Sequence, residues 1–260
     1  MIEEPYRWME AISNRREYIE HQIAGGSPIA ALSYQDGILL FTLSRERQKL
    51  FEIYDRIAMG GIGHPGDIER LRMAAIELAS TEGFTRSSAD VSLRRLASFS
   101  LSPALKAAFE QIYGPPYLAR LLFAELGRGK TPNLFVRMDY DGSFHTNGGA
   151  FGRSFEEFGV MSGTAGATAL MERFLRDRAN PSLTLEEALR VALDAWAVGH
   201  IAQREGDLDE LPSEALIAAE RNEQLTHAAV EAGVLDRTAS SPVTWRPLPE
   251  AEVRGLLEGR

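Results

Sequence analysis

Ile29-Ala30-Ala31-Leu32-Ser33-Tyr34-Gln35-Asp36-Gly37-Ile38-Leu39-Leu40-Phe41-Thr42 contains two apolar runs, 29–34 and 38–42, separated only by Gln35-Asp36-Gly37. Asp-Gly between two such runs is a strong hairpin signal, because glycine reaches backbone conformations that tight turns require. The stretch therefore reads as two antiparallel strands. A second strand pair follows, at residues 50–53 and 56–62, and runs out at Gly60-Gly61-Ile62-Gly63.

Upstream of the hairpins, residues 5–23 read as an amphipathic helix. Trp8, Ile12, Ile19 and Ile23 fall near one face, and Glu10, Asn14, Arg15, Glu17 and Glu20 fill much of the rest. Pro5 suits the first turn, and Gly25-Gly26 ends the helix. Downstream, Ile68, Leu71, Ala74, Ala75 and Leu78 recur at helical spacing across residues 67–80. Ser88 is placed to cap a further helix through Val91, Leu93 and Leu96, with Pro103 inside the pattern. Strands are expected at 117–126 and 133–140, and the turn Asp141-Gly142 leads to a strand at 143–146. Helix returns at 164–177. Thr184-Leu185-Glu186-Glu187 is a capping box that opens a helix through Leu189, Leu193 and Trp196. Residues 205–213 form an acidic loop, 225–231 and 243–247 read as strands, and 250–257 as a short closing helix. Blocks of strands and blocks of helices, rather than strict alternation, define an α+β class. No long linker and no repeat of fixed period is present, so one domain over 1–260 is expected, with an N-terminal helix within 1–24.

Composition narrows the function classes. The chain has 260 residues, 44% hydrophobic and 25% charged, with a formal net charge of -9. Such an acidic balance argues against a nucleic-acid-binding surface. The absence of cysteine removes disulfides, thiolate metal sites and cysteine nucleophiles together, and fits a reducing cytosol. The N-terminal residues lack the basic and apolar blocks of a secretory leader, and no apolar run reaches the roughly 20 residues of a membrane span. A cytoplasmic protein with no membrane and no nucleic-acid partner is the expectation. The five histidines show no metal-ligand spacing, and neither metal nor cofactor is expected.

Several stretches, in this order, resemble the proteasome subunit family, with the closest likeness to α subunits of actinobacterial type. Tyr34-Gln35-Asp36-Gly37-Ile38-Leu39-Leu40 is similar to the family's first hairpin. Lys49-Leu50-Phe51-Glu52-Ile53-Tyr54-Asp55-Arg56-Ile57-Ala58 is the most specific stretch, followed by Ile68-Glu69-Arg70-Leu71-Arg72. Met138-Asp139-Tyr140-Asp141-Gly142 resembles the second hairpin. Val160-Met161-Ser162-Gly163-Thr164 and Leu183-Thr184-Leu185-Glu186-Glu187-Ala188 resemble the starts of the last two long helices. The resemblance implies a four-layer α-β-β-α sandwich of the Ntn-hydrolase type with an added N-terminal helix.

It also implies roles. The chain would be a non-catalytic α-type subunit that forms a ring, a heptamer, and caps a β-type ring carrying threonine nucleophiles. It would gate protein substrates in transit and dock an ATPase or cap activator. By likeness, Lys49 would face a pocket that receives the activator's C-terminal carboxylate, with Gly26, Gly63 and His64 lining it; a carboxylate in a partly buried cleft needs a cation. The plainer reading of Lys49 is a solvated strand-edge lysine. Glu3, Glu4 and Pro5 would sit at the axial gate. Trp8, Ile12 and Ile19 are candidates for the ring interface, or for packing within the subunit. The rival reading is a self-processing hydrolase with Ser27 as nucleophile after Gly26. Against it, Pro28 restricts the backbone of Ser27, and the position of the family's supporting acid falls on Leu43.

Two further patterns fall short. Gly127-Arg128-Gly129-Lys130-Thr131 lacks the first glycine of a phosphate loop, Ala124 standing there, and reads as a hairpin turn. Asp139-Tyr140-Asp141-Gly142 lacks the glutamate of a calcium loop, which would fall at Ala150. Gly148-Gly149-Ala150-Phe151-Gly152 is a glycine cluster after a strand, suited to close backbone approach and pointing to no nucleotide.

Overall fold

A computed structural model describes residues 4–44, 47–147, 156–206 and 208–258, with side chains from Arg7 onward. Its elements are α1 (Glu4–Ile23), β1 (Ile29–Tyr34), β2 (Gly37–Ser44), β3 (Leu50–Tyr54), β4 (Ile57–Gly63), α2 (Pro65–Thr85), α3 (Leu93–Leu96) and, after a π-turn, α4 (Ser102–Glu110). Then come β5 (Ala119–Glu125), β6 (Leu134–Met138), β7 (Phe144–Thr146), β8 (Phe158–Met161), α5 (Ala165–Arg176), α6 (Leu185–Glu205), α7 (Glu214–His227), β9 (Ala229–Asp236), β10 (Trp245–Leu248) and α8 (Glu250–Glu258).

The strands build two antiparallel five-stranded sheets, ordered β10-β9-β2-β1-β8 and β3-β4-β5-β6-β7. The first hairpin closes with Tyr34 opposite Gly37, as the Asp-Gly signal demands. The unbroken apolar character of β1 and β2 has a physical reason: both faces are covered. Ala30, Leu32, Leu39 and Phe41 meet the helices α5 and α6. Ile29, Ala31, Ile38 and Leu40 turn the other way and meet Ala58, Ile62, Leu122 and Phe135 of the second sheet. On that sheet's far face, Met59, Leu121, Phe123 and Val136 pack against Leu71, Ala75, Leu96 and Leu105. The result is four layers, helix–sheet–sheet–helix. Each fully buried Leu or Ile contributes about 1.5–3 kcal/mol.

α1 lies across one end of the sandwich. Ile19 and Ile23 bury against Phe109 and Tyr140. Arg120 is nearly buried and bonds Glu20 of α1 through Nη2 at 2.8 Å, pairs with Asp139, and donates to the carbonyl of Gly163 at 2.9 Å. The Tyr140 hydroxyl donates to Glu20 at 2.7 Å. A charged hub thus ties the helix to both sheets, and truncating a partner of such a pair leaves an uncompensated buried charge.

Several expectations need correction. The strand expected at 225–231 is instead the end of α7 followed by β9, which begins at Ala229. α7 itself was not expected. Val160 and Met161 do not start a helix; they end β8, and Thr164 caps α5 by accepting from the amide of Ala167 at 3.3 Å. Ser88 is not a cap. Ser87 caps a short 3-10 turn, and the next helix starts after Ser92. Pro103 stands in the first turn of α4, where its missing N–H costs nothing. The hairpin turn expected at residues 127–131 is borne out: it lies in the loop joining the paired strands β5 and β6, with the Gly127 amide donating to Asn133 Oδ1 at 3.0 Å.

Candidate functional site

The segment between α1 and β1 is held in place before β1 begins. The Gly26 amide donates to the Ile23 carbonyl at 2.9 Å. The Gln203 side-chain amide of α6 donates to the carbonyls of Ala24 at 2.9 Å and Gly26 at 2.8 Å. Gly26 is required sterically, since a Cβ there would stand 2.0 Å from Ile62 Cγ2. A glycine before Ser27 therefore has a packing reason that needs no cleavage.

The Ser27 hydroxyl is fully engaged. It donates to the Leu43 carbonyl at 2.6 Å and accepts from Trp196 Nε1 at 2.9 Å. The Thr42 hydroxyl lies 3.5 Å away and donates to the Pro28 carbonyl at 2.7 Å. Among the described residues no carboxylate, imidazole or amine lies within hydrogen-bond distance of Ser27 Oγ. A hydroxyl that already donates to a carbonyl, with no base beside it, lacks the arrangement an activated nucleophile needs. Its amide is an ordinary peptide continuous with the packed helix α1.

Beside Ser27 opens a cavity of about 590 Å³. Gly25 and Gly26 border it from the α1–β1 turn, Lys49 from just before β3 and Phe51 from within it, Gly63 from the end of β4, Pro65 from the start of α2, and Trp196 and His200 from α6. Three of the four residues expected to share a pocket, Lys49, Gly26 and Gly63, are brought together here. His64 is not on the cavity lining. Its Nδ1 accepts from the Gly66 amide at 3.2 Å, so it caps α2, and its own amide donates to the Leu118 carbonyl at 2.7 Å.

Lys49 is half-buried at the start of β3. Its backbone is clamped by Glu231 of β9, whose carboxylate accepts from the Lys49 amide at 2.9 Å and from the Leu50 amide at 2.7 Å. Burial holds the Lys49 ammonium below the ordinary lysine range, and the charge of Glu231 offsets this only in part. Burial likewise raises Glu231, against the pull of its two backbone donors. Among the described residues no carboxylate pairs with the Lys49 ammonium within 4.0 Å. A partly desolvated cation facing an open cavity is costly to the fold unless an anion arrives.

The remaining expected residues separate. Ile19 is completely buried within its own chain, so packing inside the subunit is its role; Ile12 packs partly beside it. Trp8 is 49% exposed. Glu3 lies outside the described residues, and of Glu4 and Pro5 only the helical backbone is described. The 148–152 glycine cluster also lies outside them. Among the described residues there is no group of side chains able to hold a metal ion, and no helix long and apolar enough to cross a membrane. Sequence reading missed Trp196, His200 and Glu231. Each looks like an ordinary core or surface residue until the layers bring it to the cavity.

Two stacked antiparallel sheets between helical layers, with an N-terminal helix running into the first hairpin, define an Ntn-type sandwich. The model of the proteasome subunit family matches residues 23–205, and the chain belongs to that family. It is 31% identical over 252 residues to the proteasome subunit alpha of Kineococcus radiotolerans, covering 96% of this chain and 95% of that protein. The proteasome subunit alpha of Nocardioides sp. is 30% identical over 253 residues, covering 96% and 87%. That of Frankia casuarinae is 32% identical over 250 residues, covering 95% and 93%.

Proposed function

We propose that this chain, a non-catalytic α-type subunit of a bacterial proteasome, forms a seven-membered ring that caps a β-type ring of threonine proteases in the cytoplasm. The ring admits protein substrates through its axial opening and docks an ATPase or cap activator. The activator's C-terminal carboxylate enters the cavity beside Ser27 and pairs with Lys49. The observation that carries this reading is the unpaired, partly desolvated Lys49 ammonium at that cavity. Evolution tolerates such a cost where the group has a ligand to meet. Trp8, Tyr18, Phe84 and Phe99 are exposed on or beside the helices α1 to α4 and support burial against neighbouring subunits. Glu4 and Pro5, at the start of α1, and Glu3 before them are assigned to the gate on family likeness alone.

The test is a particle reconstituted from this chain and a β-type partner, with Lys49 replaced by Met. Activator-dependent degradation of a folded protein falls at least about tenfold, the worth of one charge-assisted contact. Hydrolysis of a small peptide by the β ring stays unchanged. Retention of full activator-dependent degradation would refute the docking role.

A further inference from the structure

His200 lines the same cavity as Lys49, and its ring is unusually well fixed. Its ring stacks on Trp196, with centroids 4.7 Å apart and planes 14° from parallel. Its Nδ1 lies 2.7 Å from Oε1 of Glu220. Glu220 comes from α7, is only 2% exposed, and receives Arg204 Nη1 on its other oxygen at 2.6 Å. The Arg204 and His200 contacts hold Glu220 below the ordinary carboxylate range despite burial, so it is ionised. An ionised carboxylate only accepts, so Nδ1 of His200 carries the hydrogen. Nε2 is then the ring's remaining polar atom. A buried acid behind an imidazole orients it and stabilises the imidazolium that forms when Nε2 takes a proton.

We propose that His200 is a second recognition group of this cavity, donating from Nε2 as an imidazolium to the same terminal carboxylate that Lys49 attracts. This rests on the docking role of the cavity. The carboxylate would lie between a cation from β3 and a cation from α6, while the apolar walls Leu43, Phe51 and Ile68 take the last side chains of the entering tail. The step is a proton uptake coupled to binding. The proton comes from solvent, rests on Nε2, and returns to solvent when the tail leaves. Docking therefore tightens as pH falls, because binding takes up a proton. The charged groups on the cavity lining and behind the ring have opposed effects. Glu220 favours the imidazolium. Lys49 and Arg47 on the cavity lining and Arg204 behind Glu220 oppose it. Glu69 on the same lining is already held by both guanidinium contacts of Arg72.

The experiment uses the full chain and a fluorescent peptide, acetyl-Gly-Gly-Leu-Phe-Ala with a free C-terminus, against its C-terminal amide, by fluorescence anisotropy between pH 8 and pH 6. The free acid binds about tenfold more tightly at pH 6 than at pH 8, and the amide binds weakly throughout. His200→Gln binds the acid as wild type does at pH 8 and gains nothing at pH 6. Glu220→Gln moves the gain to lower pH, which a purely structural role for Glu220 would not do. If His200→Gln keeps the wild-type pH profile, His200 is not a recognition group and the docking role of Lys49 stands. If Lys49→Met binds the acid as wild type does, or if acid and amide bind alike, the docking role itself is wrong.

Discussion

Replacing Ser27 by Ala separates a structural hydroxyl from a catalytic one. Ser27 Oγ is the acceptor for Trp196 Nε1 at 2.9 Å, and Trp196 is buried. Removing the oxygen leaves that indole N–H without its acceptor, which costs about 1–3 kcal/mol. For a chain of this size each kcal/mol lowers the melting temperature by about 2–4 °C, so a midpoint fall of about 2–12 °C is expected by calorimetry. The Leu43 carbonyl loses less, because the Thr42 hydroxyl also approaches it at 3.3 Å. The double variant Ser27→Ala with Trp196→Phe removes donor and acceptor together. Its loss should fall short of the sum of the single losses by about 1 kcal/mol. Peptide hydrolysis by the particle reconstituted with its β-type partner should be unaffected by Ser27→Ala. Loss of peptidase activity by orders of magnitude with an unchanged melting temperature would refute this reasoning, since that is the signature of a removed nucleophile.

Lys49→Met should raise the melting temperature at pH 7 while weakening activator docking at least about tenfold. The folded-state pKa of Lys49 is lowered, so its charge costs the fold stability at every pH below that value. The cost disappears as pH rises past the ordinary lysine value of about 10.4, so melting curves of variant and wild type should converge toward pH 11. Glu231→Ala should destabilise by about 2–4 kcal/mol in urea titration, because the amides of Lys49 and Leu50 both lose their acceptor. Glu231→Gln, which keeps one oxygen, should cost about half as much. Gly26→Ala should lower soluble yield and melting temperature, because its Cβ would stand 2.0 Å from Ile62 Cγ2, inside the sheet-to-sheet packing.

The hairpins were legible because their signals are local. Asp-Gly turns and unbroken apolar runs need no knowledge of what packs above them, and the register of β1 with β2 follows from the turn. The capping box at Thr184 was equally local: Thr184 Oγ1 accepts from the Glu187 amide and Glu187 returns to the Thr184 amide at 2.8 Å. α7 escaped because its inward stripe is polar. Glu220 and Gln224 fill the positions after Ile217, so the apolar period breaks where the helix is most enclosed. Of the cavity, sequence likeness reached Lys49, Gly26 and Gly63. It could not reach Glu231, 182 residues away from the amide it clamps, or the pairing of His200 with Glu220, 20 residues apart across two helices. Those contacts exist only once α6, α7 and β9 are stacked. His64 was misplaced because a glycine-rich strand end followed by histidine looks the same whether the imidazole lines a pocket or caps a helix.

The most direct measurement is the intact mass of the chain taken from an assembled particle with its β-type partner. With Gly26 pinned by Gln203 and Ser27 committed to Trp196 and Leu43, the chain should keep its full 28.7 kDa. A species beginning at Ser27, cleaving peptides without any partner, would contradict the account.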